Sequence, residues 1–158
     1  MKVALIMGSK SDYSKVEPAI LLLKSFNVEV SVRCFSAHRT PNELSEFVKE
    51  CNNDGTEVII GAAGMAAALP GVIASLTVLP VIGLPISVSV LDGMDAFLSI
   101  AQMPPGIPVA TVAINGSKNA AYLALEILAI KYSDIKEKLL QEREQMRLAV
   151  LKANEEIR

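Results

Sequence analysis

Between Val58 and Leu91 the chain carries no charged residue, and this stretch constrains the fold more than any other. A segment so free of charge either crosses a membrane or lies in a core shielded from water on all sides. Gly61, Gly64, Pro70, Gly71, Pro80, Gly83 and Pro85 punctuate it. No uninterrupted apolar segment therefore reaches the roughly 20 residues of a spanning helix. The expectation is a soluble core of short elements, with no membrane partner.

The flanking sequence supplies those elements in alternation. KVALIM at 2–7 is a continuous apolar run, as in a strand buried on both faces. The run is too short for the apolar region of a signal peptide, so it reads as the first strand. GSKSD turns, and Val16, Ile20, Leu23 and Phe26 mark a helix. Pro18 falls inside that pattern, implying a tight first turn or a late start. VEVSVRCF at 28–35 alternates like a strand. Pro41 then opens a helix through Cys51, with Thr40 as its N-cap and Asn53-Asp54-Gly55 as its stop.

The unit repeats as strand EVIIGA, helix GMAAALPGVIASL, strand LPVIGLP, a helix over 92–102, strand IPVATVAI at 107–114 and a Ser117-capped helix to Ile130. This alternation predicts an α/β fold, a three-layer doubly wound parallel sheet of about five strands in flavodoxin-like order. Residues 1–132 form that domain. Residues 133–158 are charged, with Ile135, Leu139, Met146, Val150, Ala153 and Ile157 at helical spacing. They read as an extra C-terminal amphipathic helix that packs on its own or a neighbouring subunit. The apolar surplus of the whole chain favours a homo-oligomer.

The bulk composition removes several function classes. A formal net charge of −2 with 20% charged residues leaves no basic face for nucleic acid. Aromatics at 4%, with no Trp, leave no stacking platform for single strands. Cys34 and Cys51 lie in no metal-ligand spacing, and both read as reduced thiols used as small apolar groups in a cytoplasmic protein. A single histidine builds neither a metal cluster nor a Ser–His–Asp order.

Ligands of open parallel sheets bind outside the carboxyl ends of the strands, which singles out three loops. GSKSD at 8–12 offers a tight turn at Gly8, hydroxyl and amide donors from Ser9 and Ser11, and Asp12 as an acceptor for a ribose. It lacks the spacing of a Walker A or GxGxxG loop, and its plainer reading is an ordinary helix cap. SAHRTP at 36–41 holds His38, the only histidine, beside Arg39. The guanidinium is a natural fork for phosphate or carboxylate, and an imidazole titrates at about 6.5 when unperturbed. Its plainer reading is a surface loop. The third loop, GAAGMAAALPG at 61–71, is small enough for a planar ligand to approach its backbone, or simply for close packing. Gln102-Met103-Pro104 offers a fourth wall.

MGSKSD, SAHRTP, AAALPG, LPVIGLP and QMPPGIPVATVAI, in this order and spacing, resemble the small-subunit family of phosphoribosylaminoimidazole carboxylase. The common members are N5-carboxyaminoimidazole ribonucleotide mutases of purine biosynthesis. The resemblance covers residues 2 to 131 and leaves the charged tail outside. It implies a small-molecule ribonucleotide substrate of the 5-aminoimidazole type, no metal and no organic cofactor. It implies His38 as catalytic proton shuttle. It places Ser9, Asp12 and Arg39 on phosphate and ribose, with Ser11, Ser36 and Ala37 lining the same pocket, and Gly64, Ala68 and Leu69 as its third-loop wall. It also implies an octamer with sites near subunit contacts.

The chain departs from the family at one position. Many mutases read GAAHLPG where this chain reads MAAALPG, so Ala68 stands in place of a histidine. Two alternatives follow: a carboxylase acting directly with carbon dioxide, and a non-catalytic nucleotide-binding module. The direct carboxylases carry an Arg-Ser-Asn loop that this chain lacks, and the intact His38 speaks against the non-catalytic module.

Overall fold

The fold is described from a computed structural model covering residues 1–88 and 90–157. Its strands are β1 (Lys2–Met7), β2 (Glu29–Cys34), β3 (Thr56–Gly64), β4 (Val81–Ile86) and β5 (Ala110–Thr111). Its helices are α1 (Tyr13–Ser25), α2 (Pro41–Cys51), α3 (Leu69–Ser75), α4 (Met94–Ala101), α5 (Ser117–Ala129) and α6 (Ser133–Glu156). The five strands pair in the order β2-β1-β3-β4-β5, every pair parallel. This is the flavodoxin-like doubly wound order.

Successive strand residues face opposite sides of the sheet, and both sides are covered. Val3, Leu5 and Met7 of β1, with Val58, Ile60 and Ala62 of β3, pack under α1 and α5. Ala4 and Ile6, with Ile59 and Ala63, pack under α2, α3 and α4. Double cover is why the uncharged stretch needs no alternation: neither face of β3 or β4 meets water.

Gly61 and Gly83 are cross-strand partners at the centre of β3 and β4. A Cβ on Gly83 would stand 2.2 Å from Ile100 Cγ2 and 2.8 Å from Val109 Cγ1. One on Gly61 would stand 3.2 Å from the Pro70 Cα. The missing side chains let α3 and α4 sit directly on the strands.

Several local expectations change in the structure. The third-loop helix begins at Leu69 rather than Gly64, because β3 runs on to Gly64 and the backbone then turns left-handed at Met65 (φ 56°). Pro70 in the first turn of α3 sets the later start. β5 shrinks from the expected 107–114 to Ala110–Thr111. Pro85 of β4 has no N–H to offer on that side, although its carbonyl still accepts from Asn115 N–H at 2.8 Å.

Gly116, not Ser117, holds the cap position of α5, and Ser117 is buried inside it. Thr40 occupies the N-cap position of α2, but its side chain caps nothing there. The tight first turn expected near Pro18 is a 3-10 turn at Lys10–Asp12, after which α1 runs through the proline. Both cysteines are free, Cys51 buried and Cys34 exposed on edge strand β2. Cys34 therefore does not serve as a buried apolar group in the protomer.

The first half of α6 lies on α5. Ile135 and Leu139 are buried there, and the Tyr122 hydroxyl donates to Glu142 at 2.7 Å. Burial, then that carboxylate, pushes the Tyr122 phenol up to about 12. Beyond this contact Met146, Leu148, Val150, Leu151 and Ile157 are exposed. Among the described residues, no helix is long and apolar enough to cross a membrane.

Replacing Gly83 with Ala tests the close approach of α4. The added methyl forces Ile100 and Val109 aside, and the expected loss is about 1–3 kcal/mol of unfolding free energy. Urea denaturation would show a lower midpoint at unchanged slope. An unaltered midpoint would mean that the helix layer yields freely.

Candidate active site

Parallel pairing sets the carboxyl ends of β1, β2 and β3 side by side, so the loops that leave them meet. Gly8 N–H donates to the Ala62 carbonyl at 3.0 Å, and Phe35 N–H to the Met7 carbonyl at 3.0 Å. These bonds extend the ladder past the strand ends and dock the first two loops on the sheet edge.

The first loop folds on itself. Ser9 Oγ accepts from Ser11 N–H at 3.3 Å and from Ser11 Oγ at 2.8 Å, and Asp12 N–H donates to the Ser9 carbonyl at 3.1 Å. Asp12 is only 4% exposed. Burial pushes its carboxyl above the ordinary carboxylate range, while the Ser11 hydroxyl and the Lys15 charge pull it back. A carboxyl raised in this way stabilises the fold while protonated, and that contribution is lost as pH rises through its folded pKa. Burial of this carboxyl therefore disfavours its charged form.

The second loop is stitched by Thr40. Its hydroxyl accepts from Ser36 N–H at 2.9 Å and donates to the Ser36 carbonyl at 3.2 Å, which is why it does not cap α2. Ser36 Oγ in turn accepts from Arg39 N–H at 3.2 Å and Nε at 3.4 Å, and Arg39 Nη2 reaches the Gly8 carbonyl at 3.4 Å. The guanidinium thus bridges the first two loops. His38 precedes it with its side chain exposed.

The third loop closes the far side. Ala67 N–H donates to Met65 O and Ala68 N–H to Ala66 O, each at 2.8 Å, forming two tight turns between β3 and α3. Leu69 is buried, and Ala68 is half-buried at the head of α3.

Together the loops enclose a cleft of about 560 Å³. Ser9, Ser11, Asp12, Ser36, Ala37, His38, Arg39, Gly64, Ala68 and Leu69 all line it. The residues nominated from the first three loops are therefore brought together in one cavity. Met65 and Ala66 also line it, as does Val88, which follows β4. Val88 was not nominated, although it too lies just past the carboxyl end of a strand. Gln102-Met103-Pro104 does not form a wall in the protomer. It joins α4 to the start of β5 at the opposite sheet edge, with the Met103 sulfur beside Gly71.

The cleft is polar at one end and apolar at the other. Hydroxyls, amides and a guanidinium gather around the first two loops, suiting an anion and its hydroxylated carrier. Small apolar groups at 63–69 suit a flat ring. His38 supplies a group able to give and take a proton. No cluster of three or more His, Cys, Asp or Glu side chains capable of holding a metal ion occurs among the described residues.

Comparison with known proteins agrees with this geometry. The family model described as AIR carboxylase matches residues 2–149, further into the charged tail than the expected limit at 131. The N5-carboxyaminoimidazole ribonucleotide mutase of Pyrococcus abyssi is 56% identical over 146 residues, 92% of this chain and 84% of its own. The protein of the same name from Methanocaldococcus jannaschii is 52% identical over 156 residues, 99% and 97% of the two chains. The crystal structure of Treponema denticola PurE superposes with a TM-score of 0.91 at 28% identity, covering 99% of this chain and 98% of that one. A family model that spans nearly the whole chain, on this sheet order, shows that the chain belongs to the AIR carboxylase family.

Proposed function

We propose that this chain is an N5-carboxyaminoimidazole ribonucleotide mutase of purine biosynthesis, acting in the cleft at the carboxyl ends of β1, β2 and β3. The carrying observation is that one cavity gathers His38, Arg39, the serine turn and Asp12, in a chain 56% identical to a protein of that name. The relatives matched at about this identity carry the mutase name, so direct carboxylation is not favoured. The intact polar end and His38 leave no reason to read the cleft as non-catalytic.

Arg39 and the Ser9–Ser11 turn hold the phosphate, and Asp12 accepts from the ribose hydroxyls. The aminoimidazole ring then lies on the wall from Gly64 to Leu69. The carboxylate leaves the exocyclic nitrogen as carbon dioxide, and the electron pair left behind takes a proton from the His38 imidazolium. The electron-rich ring carbon C4 attacks the carbon dioxide trapped above it. C4 now carries both hydrogen and carboxylate, and the His38 imidazole removes that hydrogen as the ring regains aromaticity. The imidazolium is restored, so the cycle needs no net proton and no electron acceptor. With Ala68 offering only a methyl group, both transfers fall to His38.

The protein works in the cytoplasm as a homo-oligomer, with eight subunits expected from the family. The apolar surface left on the outer half of α6, together with Val90, Leu91, Met94 and Leu98, supports assembly. Sedimentation equilibrium at micromolar protein should give a mass near eight times the 16.9 kDa chain. A monomer would remove this part of the reading.

The activity is tested by supplying N5-carboxyaminoimidazole ribonucleotide while free carbon dioxide is removed, and following the C4-carboxylated product. Formation well above the uncatalysed rate is expected, and absence of product despite binding would overturn the mutase. His38→Asn should abolish turnover while ligand affinity stays within about tenfold, roughly 1.4 kcal/mol. Undiminished turnover in a folded variant would end the shuttle role. Arg39→Ala should weaken the ribonucleotide far more than its nucleoside, and equal losses would show that Arg39 does not hold phosphate.

A further inference from the structure

Lys15 lies one helical turn beyond Asp12, half-buried in α1, and does not line the cleft. Its ammonium donates to the Ser87 carbonyl, in the segment that follows β4. Ser87 N–H in turn donates to Asn115 Oδ1 at 3.0 Å, so two distant segments of the chain hold this residue. The next residue, Val88, lines the cleft. It packs so close to Gly64 that a Cβ there would stand 2.3 Å from Val88 Cγ2. Lys15 thus ties the first loop's helix to the segment that closes the apolar end.

The electrostatic consequence follows from what Lys15 does not touch. Among the described residues no carboxylate forms an ion pair with it. A neutral carbonyl holds the ammonium in place without cancelling its charge. Asp12 is 4% exposed, with the Ser11 hydroxyl at a long 3.5 Å. The other ionisable groups around it are Lys10, exposed on its own turn, and His38 and Arg39 across the cleft from the second loop. The cleft-lining residues of the third loop, and Val88, carry no ionisable group. Arg39 is directed to Ser36 and Gly8. Lys15 is the cation fixed in the first turn of the helix that Asp12 caps, half-buried beside a buried carboxyl, where screening by solvent is reduced.

We propose that Lys15 is a positioning residue of the cleft: tethered to Ser87, it keeps the buried Asp12 carboxylate charged for the ligand and holds Val88 against Gly64. This rests on the reading of the cleft given above. Lowering of the Asp12 carboxyl by the Lys15 charge agrees with it. The arrangement offsets part of the cost of burying an anion without neutralising it by a direct ion pair, which leaves the carboxylate oxygens available to ribose hydroxyls.

Lys15→Met removes charge and donor, Lys15→Gln removes the charge but keeps a donor for Ser87, and Lys15→Arg keeps both. The Asp12 carboxyl is titrated by carbon NMR in each full-length protein, without ligand. Its midpoint should move to higher pH in Met and Gln and stay in place in Arg. The pH profile of aminoimidazole ribonucleotide binding should move with it, with affinity falling about tenfold per pH unit below the midpoint. In an Asp12→Asn background Lys15→Gln should leave that profile unchanged. An Asp12 midpoint unmoved in both Met and Gln overturns the proposal. A midpoint that moves while the binding profile does not would instead remove Asp12 from the ligand site, and the two failures are distinguishable.

Discussion

Burial of β1, β3 and β4 on both faces is the constraint on which everything else depends. Once neither face meets water, the strands cannot slide without exposing apolar side chains or breaking the ladder. The register of Ile6 with Gly61, and of Gly61 with Gly83, is held in this way. The strand ends fall level, and the loops leaving them are pressed into one cleft. Gly8 and Ala62 are bonded because Met7 and Ala62 are register partners. The site is the edge condition of the sheet.

The cleft divides its labour by residue size and polarity. Loops one and two bring groups that bond to each other before any ligand arrives: Ser9 with Ser11, Ser36 with Thr40, Arg39 with Ser36 and Gly8. Such prior bonding limits the ordering cost of binding. Loop three brings no polar side chain, and its shape comes from the left-handed turn at Met65 and the start of α3 at Leu69. A flat ring needs such a wall, and an anion needs the other end. Asp12 stands between, buried and raised by its burial, where a hydroxylated sugar joins the two halves of the proposed ligand. Stability is spent on that carboxylate, and the Lys15 tether reduces the loss.

Much of the site was legible because short motifs fell at the ends of apolar runs. His38 and Arg39 follow the run at 28–35, and Ser9, Ser11 and Asp12 follow the run at 2–7. The strand-end rule places both in the site without any contact being known. The same rule misled where an element was misjudged. Reading 64–76 as helix hid the turn at Met65, since nothing local predicts φ 56° for a methionine. Val88 escaped because it carries no chemistry of its own, only a position. Gln102-Met103-Pro104 was placed in the wall by the company it keeps in the chain, whereas α4 carries it to the other edge of the sheet.

By itself, then, the order of residues determined the alternation of strand and helix, the double burial of the uncharged stretch and the three loops of the site, two polar and one apolar. These are properties of periodicity, punctuation and residue type, which act over a few neighbours. Tertiary structure alone decided that α3 and α4 rest on Gly61 and Gly83, that Asp12 is buried, and that Lys15 reaches Ser87. It also decided that the outer half of α6, beyond Arg143, leaves apolar side chains uncovered. Each depends on atoms distant in the chain arriving within a few ångströms, and only the packed sheet brings them there.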